Sequence, residues 1–415
     1  NAALASWSVA VPLILALGHW VFLSPTGSIG SPVVAATATN PATAASLADL
    51  DADILWERSL TKDYAINQAV GQAVAATQDG GYLLAGRGYF GPKALANIFI
   101  MKVDPDGNQQ WIRTLSEENA MRDEFVADLY SFPNGSYLMA GFDRNYFGEQ
   151  AGNFHLLKLD GPNLETAWES RYALENLSNY FTVQTESSGD FTLYMWSGLT
   201  IQALRVPSTS SGQGEWSEAV ELKGLSETDT IVDLKPVEEG GFILAGVTSD
   251  SAGGFKDALL AKASVDGNIE WRQTYGGDKS EEVFKVLRTK AGEYLFIGRA
   301  TPRTIEDGDL YLIKVDATGK LLWEKTFGGS EVDEGARDGL LTEGDGLVAL
   351  GSWSAAIYLA NVDANGDLVW EKYFRNKDVK YDIWSFCQST DGGYAIISSR
   401  SEWAIDSVII KFKKK

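Results

Sequence analysis

Residues 309–329, DLYLIKVDATGKLLWEKTFGG, constrain the fold of this chain more than any other stretch. They read as an apolar strand from Leu310 to Val315, a tight Asp-Ala-Thr-Gly turn, and a second strand carrying Trp323 that ends in a glycine pair. Apolar runs rich in β-branched and aromatic residues, bounded by Asp and Gly, signal hairpins, because Asp and Gly tolerate the backbone conformations that tight turns demand. The unit returns at 97–115 (NIFIMKVDPDGNQQWIRTL), at 257–277 (DALLAKASVDGNIEWRQTYGG) and at 356–374 (AIYLANVDANGDLVWEKYF). One hairpin is marginal alone; several of them in one chain predict a repeat architecture.

Each repeat reads as four strands, A to D, with a Gly-rich turn between A and B (ATQDGGYLLAG in the first) and the Asp/Gly turn between C and D. The boundaries run from Asn67 to Leu115, Glu124 to Leu174, Tyr180 to Leu222, Thr230 to Gly277, Glu282 to Gly329 and Glu334 to Phe374. The third is the most divergent and carries a long STSSGQGEW hairpin. A seventh repeat begins at Tyr381 but reaches Lys415 without a Trp-bearing strand D. Such a strand stands alone at the other end, from Asp53 to Leu60. With it, one tryptophan marks each repeat: Trp56, Trp111, Trp168, Trp216, Trp271, Trp323 and Trp370. If the N-terminal strand completes the last repeat, the two open edges of a stack of sheets disappear. The expectation is an all-β, seven-bladed β-propeller over residues 51–415.

Ahead of it, residues 4–23 carry no charged side chain and match the length of a membrane-spanning helix. That length favours a retained anchor in segment 1–23 over a secretory signal, for which Ala36-Thr37-Ala38 would be the cleavage site. Residues 24–50, rich in Ser, Thr, Pro, Gly and Ala, read as a flexible linker. Either reading puts the propeller outside the cytoplasm, in the periplasm or the extracellular space. A net charge of −21 argues against a nucleic-acid backbone or an anionic lipid surface as the main partner. The single cysteine, Cys387, rules out an intrachain disulfide framework, and its apolar strand context predicts a buried, inert thiol.

The pattern DGGY…AG, then an Asp- or Asn-led strand ending K-x-D-x-x-G, then Trp and a closing glycine pair resembles the β-propeller repeats of secreted and surface proteins in bacteria and archaea. Its C–D hairpin is also similar to the repeat of pyrroloquinoline quinone-type propellers, with Gly319, Lys320 and Trp323 matching the Gly-Lys-x-x-Trp stretch. That resemblance implies that each tryptophan docks a neighbouring blade. The quinone enzymes carry an adjacent cysteine pair beside the cofactor. This chain departs from that pattern, so no cofactor is expected.

The stretches Asp104/Asp106/Asn108 and Asp363/Asn365/Asp367 have calcium-loop spacing, but a Trp strand follows where a calcium loop would continue to a Glu. They are expected to be structural turns, with no metal. An Asp or Asn opens strand C in five repeats with Lys five residues later, as at Asn97/Lys102 and Asp309/Lys314, and such recurrence predicts a structural role. The acidic D–A loops, among them Asp278/Glu281/Glu282, are expected to form a solvated rim.

No catalytic residue is assigned. The binding candidates are the paired aromatics and arginines of two successive B–C loops: Arg87, Tyr89, Phe90, Arg144, Tyr146 and Phe147. Aromatics with arginine on adjacent loops suit an interface hot spot. The leading function is a non-catalytic, membrane-anchored interaction or scaffold subunit that binds protein partners within a membrane complex and touches no nucleic acid. The alternatives are an exported carbohydrate-active or quinone-type enzyme using the acidic loops, and a surface adhesin or glycan-binding module.

Overall fold

The computed structural model describes residues 54–89, 97–115, 122–145, 152–174, 180–186, 188–207, 212–249, 255–277, 279–301, 308–328, 336–353, 356–374, 381–401 and 405–413. They form seven antiparallel sheets. The inner strands A are Asn67–Ala76, Arg122–Ser131, Tyr180–Thr185, Asp229–Pro236, Ser280–Arg288, Ala336–Leu341 and Tyr381–Gln388, which open blades 1 to 7 in that order. The outer strands D are Gln109–Leu115, Glu165–Leu174, Ile269–Tyr275, Leu321–Phe327 and Leu368–Phe374 in blades 1, 2, 4, 5 and 6. In blade 3 the outer strand is split into Glu215–Trp216 and Val220–Glu221.

Blade 7 is closed by the N-terminal strand. Ile54–Ser59 pairs antiparallel with Ile405–Phe412, matching Trp56 with Lys411 and Ser59 with Val408. Side chains secure the join. The Ser59 hydroxyl donates to Asp406 Oδ2 at 2.8 Å, the Thr61 amide donates to the other oxygen at 3.1 Å, and Leu60 is fully buried.

Alternation along each strand explains why the sheets form a ring. Successive residues point to opposite faces. In Tyr82–Tyr89, Leu83 and Ala85 enter a core shared with blade 2, while Tyr82 and Leu84 enter one shared with blade 7. The same division gives one hydrophobic core at each of the seven blade junctions. No blade has a core of its own.

The tryptophans lock these junctions at the turn side. Trp56 Nε1 donates to Pro105 O at 2.9 Å, and Trp323 Nε1 donates to Ala364 O at 3.0 Å, each in the C–D turn of the next blade. The rings of Trp56, Trp168, Trp271 and Trp323 lie flat over Gly107, Gly212, Gly319 and Gly366, all at positive φ. A Cβ on Gly107 would stand 3.0 Å from the Trp56 ring. Gly107→Ala therefore meets both backbone strain and overlap, and is expected to lower stability by about 1–3 kcal/mol in urea unfolding.

Trp216 departs from this scheme. In the other six blades the tryptophan pairs with the fifth residue after the strand C opening: Lys102, Lys158, Lys262, Lys314, Asn361 or Lys411. In blade 3 that residue, Arg205, pairs with Glu215, and Trp216 pairs with Leu204. The longer hairpin shifts the register by one, and a one-residue shift turns a side chain to the other face. Trp216 is 37% exposed and meets Tyr172 of blade 2 edge-on at 6.1 Å.

Three of the recurring strand C lysines have buried stems and reach the A–B turn of their own blade, while Lys262 binds Glu270 of strand D at 3.0 Å. Lys102 binds Asp79 at 2.9 Å, Lys411 binds Asp391 at 2.8 Å, and Lys314 reaches Glu293 at 2.6 Å. The Asp residues of the C–D turns bind backbone. Asp104 Oδ1 accepts from the amides of Asp106 and Asn108, and Asp363 Oδ1 from those of Asn365 and Asp367. Cys387 is half-buried rather than buried, and burial pushes its thiol up to about 12.

Candidate functional site

Of the loop residues expected to bind a partner, Phe90, Tyr146 and Phe147 lie outside the described residues. Tyr89 ends Tyr82–Tyr89, with Arg87 two residues before it, and Arg144 is the penultimate residue of the equivalent strand of blade 2, Tyr137–Asn145. The Arg87 guanidinium lies 4.6 Å from the ring centre of Phe125 in blade 2, and Phe125 stacks on Phe142 at 5.3 Å. Arg87 thus ties blade 1 to blade 2 through a cation–π contact. Tyr89 is half-buried.

A second set of residues meets on the inner strands. The A–B pairing skips one residue in six blades, and in blades 2, 4, 5 and 6 the residue after the skip is charged, the shift falling between Val126 and Asp128, Ile231 and Asp233, Val283 and Lys285, and Ala336 and Asp338. A β-bulge of this kind re-aims the next side chain. Each aspartate after a bulge accepts from the following amide: Asp128 from Leu129 at 2.8 Å, Asp233 from Leu234 at 2.9 Å, Asp338 from Gly339 at 2.8 Å.

Lys285 is the cation among them, and its ammonium donates to Asp338 Oδ1. Asp233 Oδ2 accepts from the Val286 amide of the neighbouring blade at 2.8 Å. Lys235 lies 3.5 Å from Asp233 and donates to Thr182 Oγ1 of blade 3 at 2.8 Å. Tyr130 hydrogen-bonds Asp128. Four consecutive blades, 3 to 6, are therefore linked by polar contacts around the axis, and Asp128 of blade 2 adds its charge to the field of Lys285 and Lys235. Burial opposes the charge of Lys285, but Asp338, Asp233 and Asp128 outweigh it and hold the ammonium above the usual lysine range. Burial raises the Asp128 carboxyl. A lysine held this firmly protonated is an electrostatic clamp, not a nucleophile.

A third feature corrects the solvated-rim reading at Glu281; its loop neighbour Asp278 lies outside the described residues. Glu281 is only 6% exposed. Its Oε2 accepts from the Gly277 amide at 3.2 Å. It also converges with Asp257 Oδ1 over Gly276: a Cβ on that glycine would lie 2.9 and 2.4 Å from the two oxygens. Burial pushes Glu281 up to about 7, with Asp257 adding to the effect, and burial also raises Asp257. The equivalent acid in blade 4, Asp229, takes two hydrogen bonds from Arg272, at 2.9 and 2.7 Å, and is held low despite its burial. In blade 2, Glu124 lies 3.6 Å from Arg171. Glu281 meets a second carboxyl where these acids meet an arginine. One protonated carboxyl beside another acid can transfer a proton near neutral pH.

Two aspartates of this network, though not the bulges that aim them, had a sequence signal. VADL (126–129) and IVDL (231–234) place an aspartate inside an otherwise apolar inner strand. The Asp257–Glu281 meeting had none, because it joins strand C of one blade to strand A of the next.

These features define the chain as a seven-bladed β-propeller closed by its N-terminal strand. No protein-family model and no curated protein matches it. Among solved structures it is similar to a virginiamycin B lyase from Staphylococcus aureus, at 12% identity over 86% of this chain and 98% of that one, with a TM-score of 0.51. It is also similar to Sqt1 from Chaetomium thermophilum (11% identity, 82% of each chain, TM-score 0.47) and to a protein of unknown function from Dyadobacter fermentans (12%, 87% and 99%, TM-score 0.44). At such identities the likeness is one of fold.

Proposed function

We propose that the chain is a non-catalytic interaction or scaffold subunit held outside the cytoplasm. Residues 4–23 anchor it in a membrane, residues 24–50 serve as a tether, and the B–C loops of blades 1 and 2 form the contact surface for protein partners. The network around the axis carries this reading. Lys285 binds Asp338 of the next blade, Asp233 accepts from the Val286 amide of the next blade, and Asp128 and Asp338 accept from local amides, which suits a rigid ring presenting loops. Replacing Tyr89, Phe90, Tyr146 and Phe147 together with alanine is expected to reduce partner recovery from solubilised membranes at least tenfold while the unfolding midpoint stays unchanged, since hot-spot aromatics each contribute about 2 kcal/mol or more. Equal recovery would falsify the contact surface.

The Asp257–Glu281 pair favours a second reading, an exported carbohydrate-active enzyme in which Glu281 acts as the acid. Loss of glycan hydrolysis in Glu281→Gln is its test. Stability gives an independent check on the pair. Because the folded pKa of about 7 lies above the ordinary 4.5, the contribution of Glu281 is fully present below about 4.5 and lost as pH rises to about 7. Glu281→Gln is therefore expected to match the parent at pH 4 and to exceed it in urea midpoint at pH 8.

A further inference from the structure

Seven large hydrophobic side chains are exposed among the described residues, and five of them share one place in the fold. Leu321 and Leu322 are 39% and 45% exposed, Leu368 and Val369 37% and 60%, and Leu55 52%. All five immediately precede the blade tryptophan, at the turn-side end of the outer strands of blades 5, 6 and 7. The corresponding pairs in blades 1, 2 and 4 are Gln109-Gln110, Thr166-Ala167 and Ile269-Glu270. The aliphatic positions therefore form a band on one side of the ring. The three blades are joined at this level: Trp323 and Lys325 of blade 5 reach Ala364 and Asp367 of blade 6, and Trp370 and Ile54 share the core between blades 6 and 7. Outer strands are open sheet edges, where clustered apolar side chains mark a contact surface.

The chain indicates what lies against the band. Residues 1–53 join the propeller at Ile54, next to Leu55, so the tether is attached at the end of the band itself. We infer that this band rests on the lipid surface in which residues 4–23 are anchored, with Leu55, Leu322 and Val369 entering the interfacial layer. The inference depends on the anchor proposed above. The covalent link between residues 4–23 and Ile54 keeps the band at high local concentration beside the bilayer. With a net charge of −21, apolar contact with uncharged lipid is the favourable mode, not attraction to anionic headgroups.

The test uses the full chain in phosphatidylcholine vesicles. Single cysteines introduced as Leu55→Cys, Leu322→Cys and Val369→Cys carry an environment-sensitive fluorophore, with Val265→Cys on blade 4, where Val265 is 58% exposed, as the reference. All four variants carry Cys387→Ser, so that the introduced thiol takes the label. The first three labels are expected to shift to the blue and lose intensity with nitroxide-bearing lipid, while the label at position 265 does neither. Water-like emission at all four positions, in vesicles that retain the protein through carbonate extraction, overturns the docking of the band and leaves the anchor standing. Release by carbonate overturns the anchor and the inference with it. Blue-shifted emission that nitroxide lipid does not quench, and that fades on dilution in lipid, overturns the lipid contact in favour of a second copy of this chain.

Discussion

Deleting residues 54–60 is expected to abolish cooperative unfolding of the propeller. The deletion opens blade 7 along Ile405–Phe412 and withdraws Trp56 from Pro105 and Gly107 of blade 1. It also removes Leu60 from the core between blades 7 and 1, a fully buried side chain that alone contributes about 2–3 kcal/mol. Because every core is shared by two blades, the damage spreads to both neighbours of the gap. The combined loss, on the order of 5 kcal/mol or more, approaches the whole stability of an ordinary domain. Calorimetry reads the outcome directly: a broad, shallow transition replaces a single sharp one. An unchanged transition would mean that the ring holds without its clasp.

Lys285→Met gives the second large effect. The substitution conserves length and apolar volume but leaves Asp128, Asp233 and Asp338 around the axis with Lys235 as the remaining cation of the network. Removing one partner of a buried pair costs about 3–5 kcal/mol. The side chains of Lys285 and Asp338 keep 26% and 23% of their surface accessible, so solvent reduces the expected loss to about 2–3 kcal/mol. The pH profile identifies the cause. Carboxyls held above their ordinary range favour the folded state at acid pH and lose that contribution as pH rises. The deficit of Lys285→Met should therefore be largest near pH 8 and shrink toward pH 4, and adding Asp338→Leu should recover part of it. A deficit independent of pH points to packing instead.

The ring was legible because its signals are local. Turns carry Asp and Gly at recurring offsets, four junctions set a tryptophan over a glycine, and Trp56 without a preceding strand C exposes the shared blade. Trp216 was misplaced because the letter repeats while its register does not: pairing with Leu204 instead of Arg205 depends on the length of the hairpin, which no single residue reports. The polar network around the axis depends on bulges, and an extra residue in one strand has no signature until its partner strand is known. Glu281 was expected in solvent for a similar reason. Its burial arises from Asp257 and Gly276, contributed by the preceding blade.

The clasp also orders events in time. Ile54–Ser59 is made first, and its partner Ile405–Phe412 is made last. At ordinary synthesis rates the first strand waits on the order of 20–70 s, about 350 residues, before it can pair. Six blades can assemble meanwhile, with an unpaired apolar segment trailing beside them. Glu57 and Arg58, placed directly after Trp56, put opposite charges on that waiting strand, a composition that disfavours pairing with another chain. Ring closure is thus a separate late step that begins only after the C-terminal strand has been released.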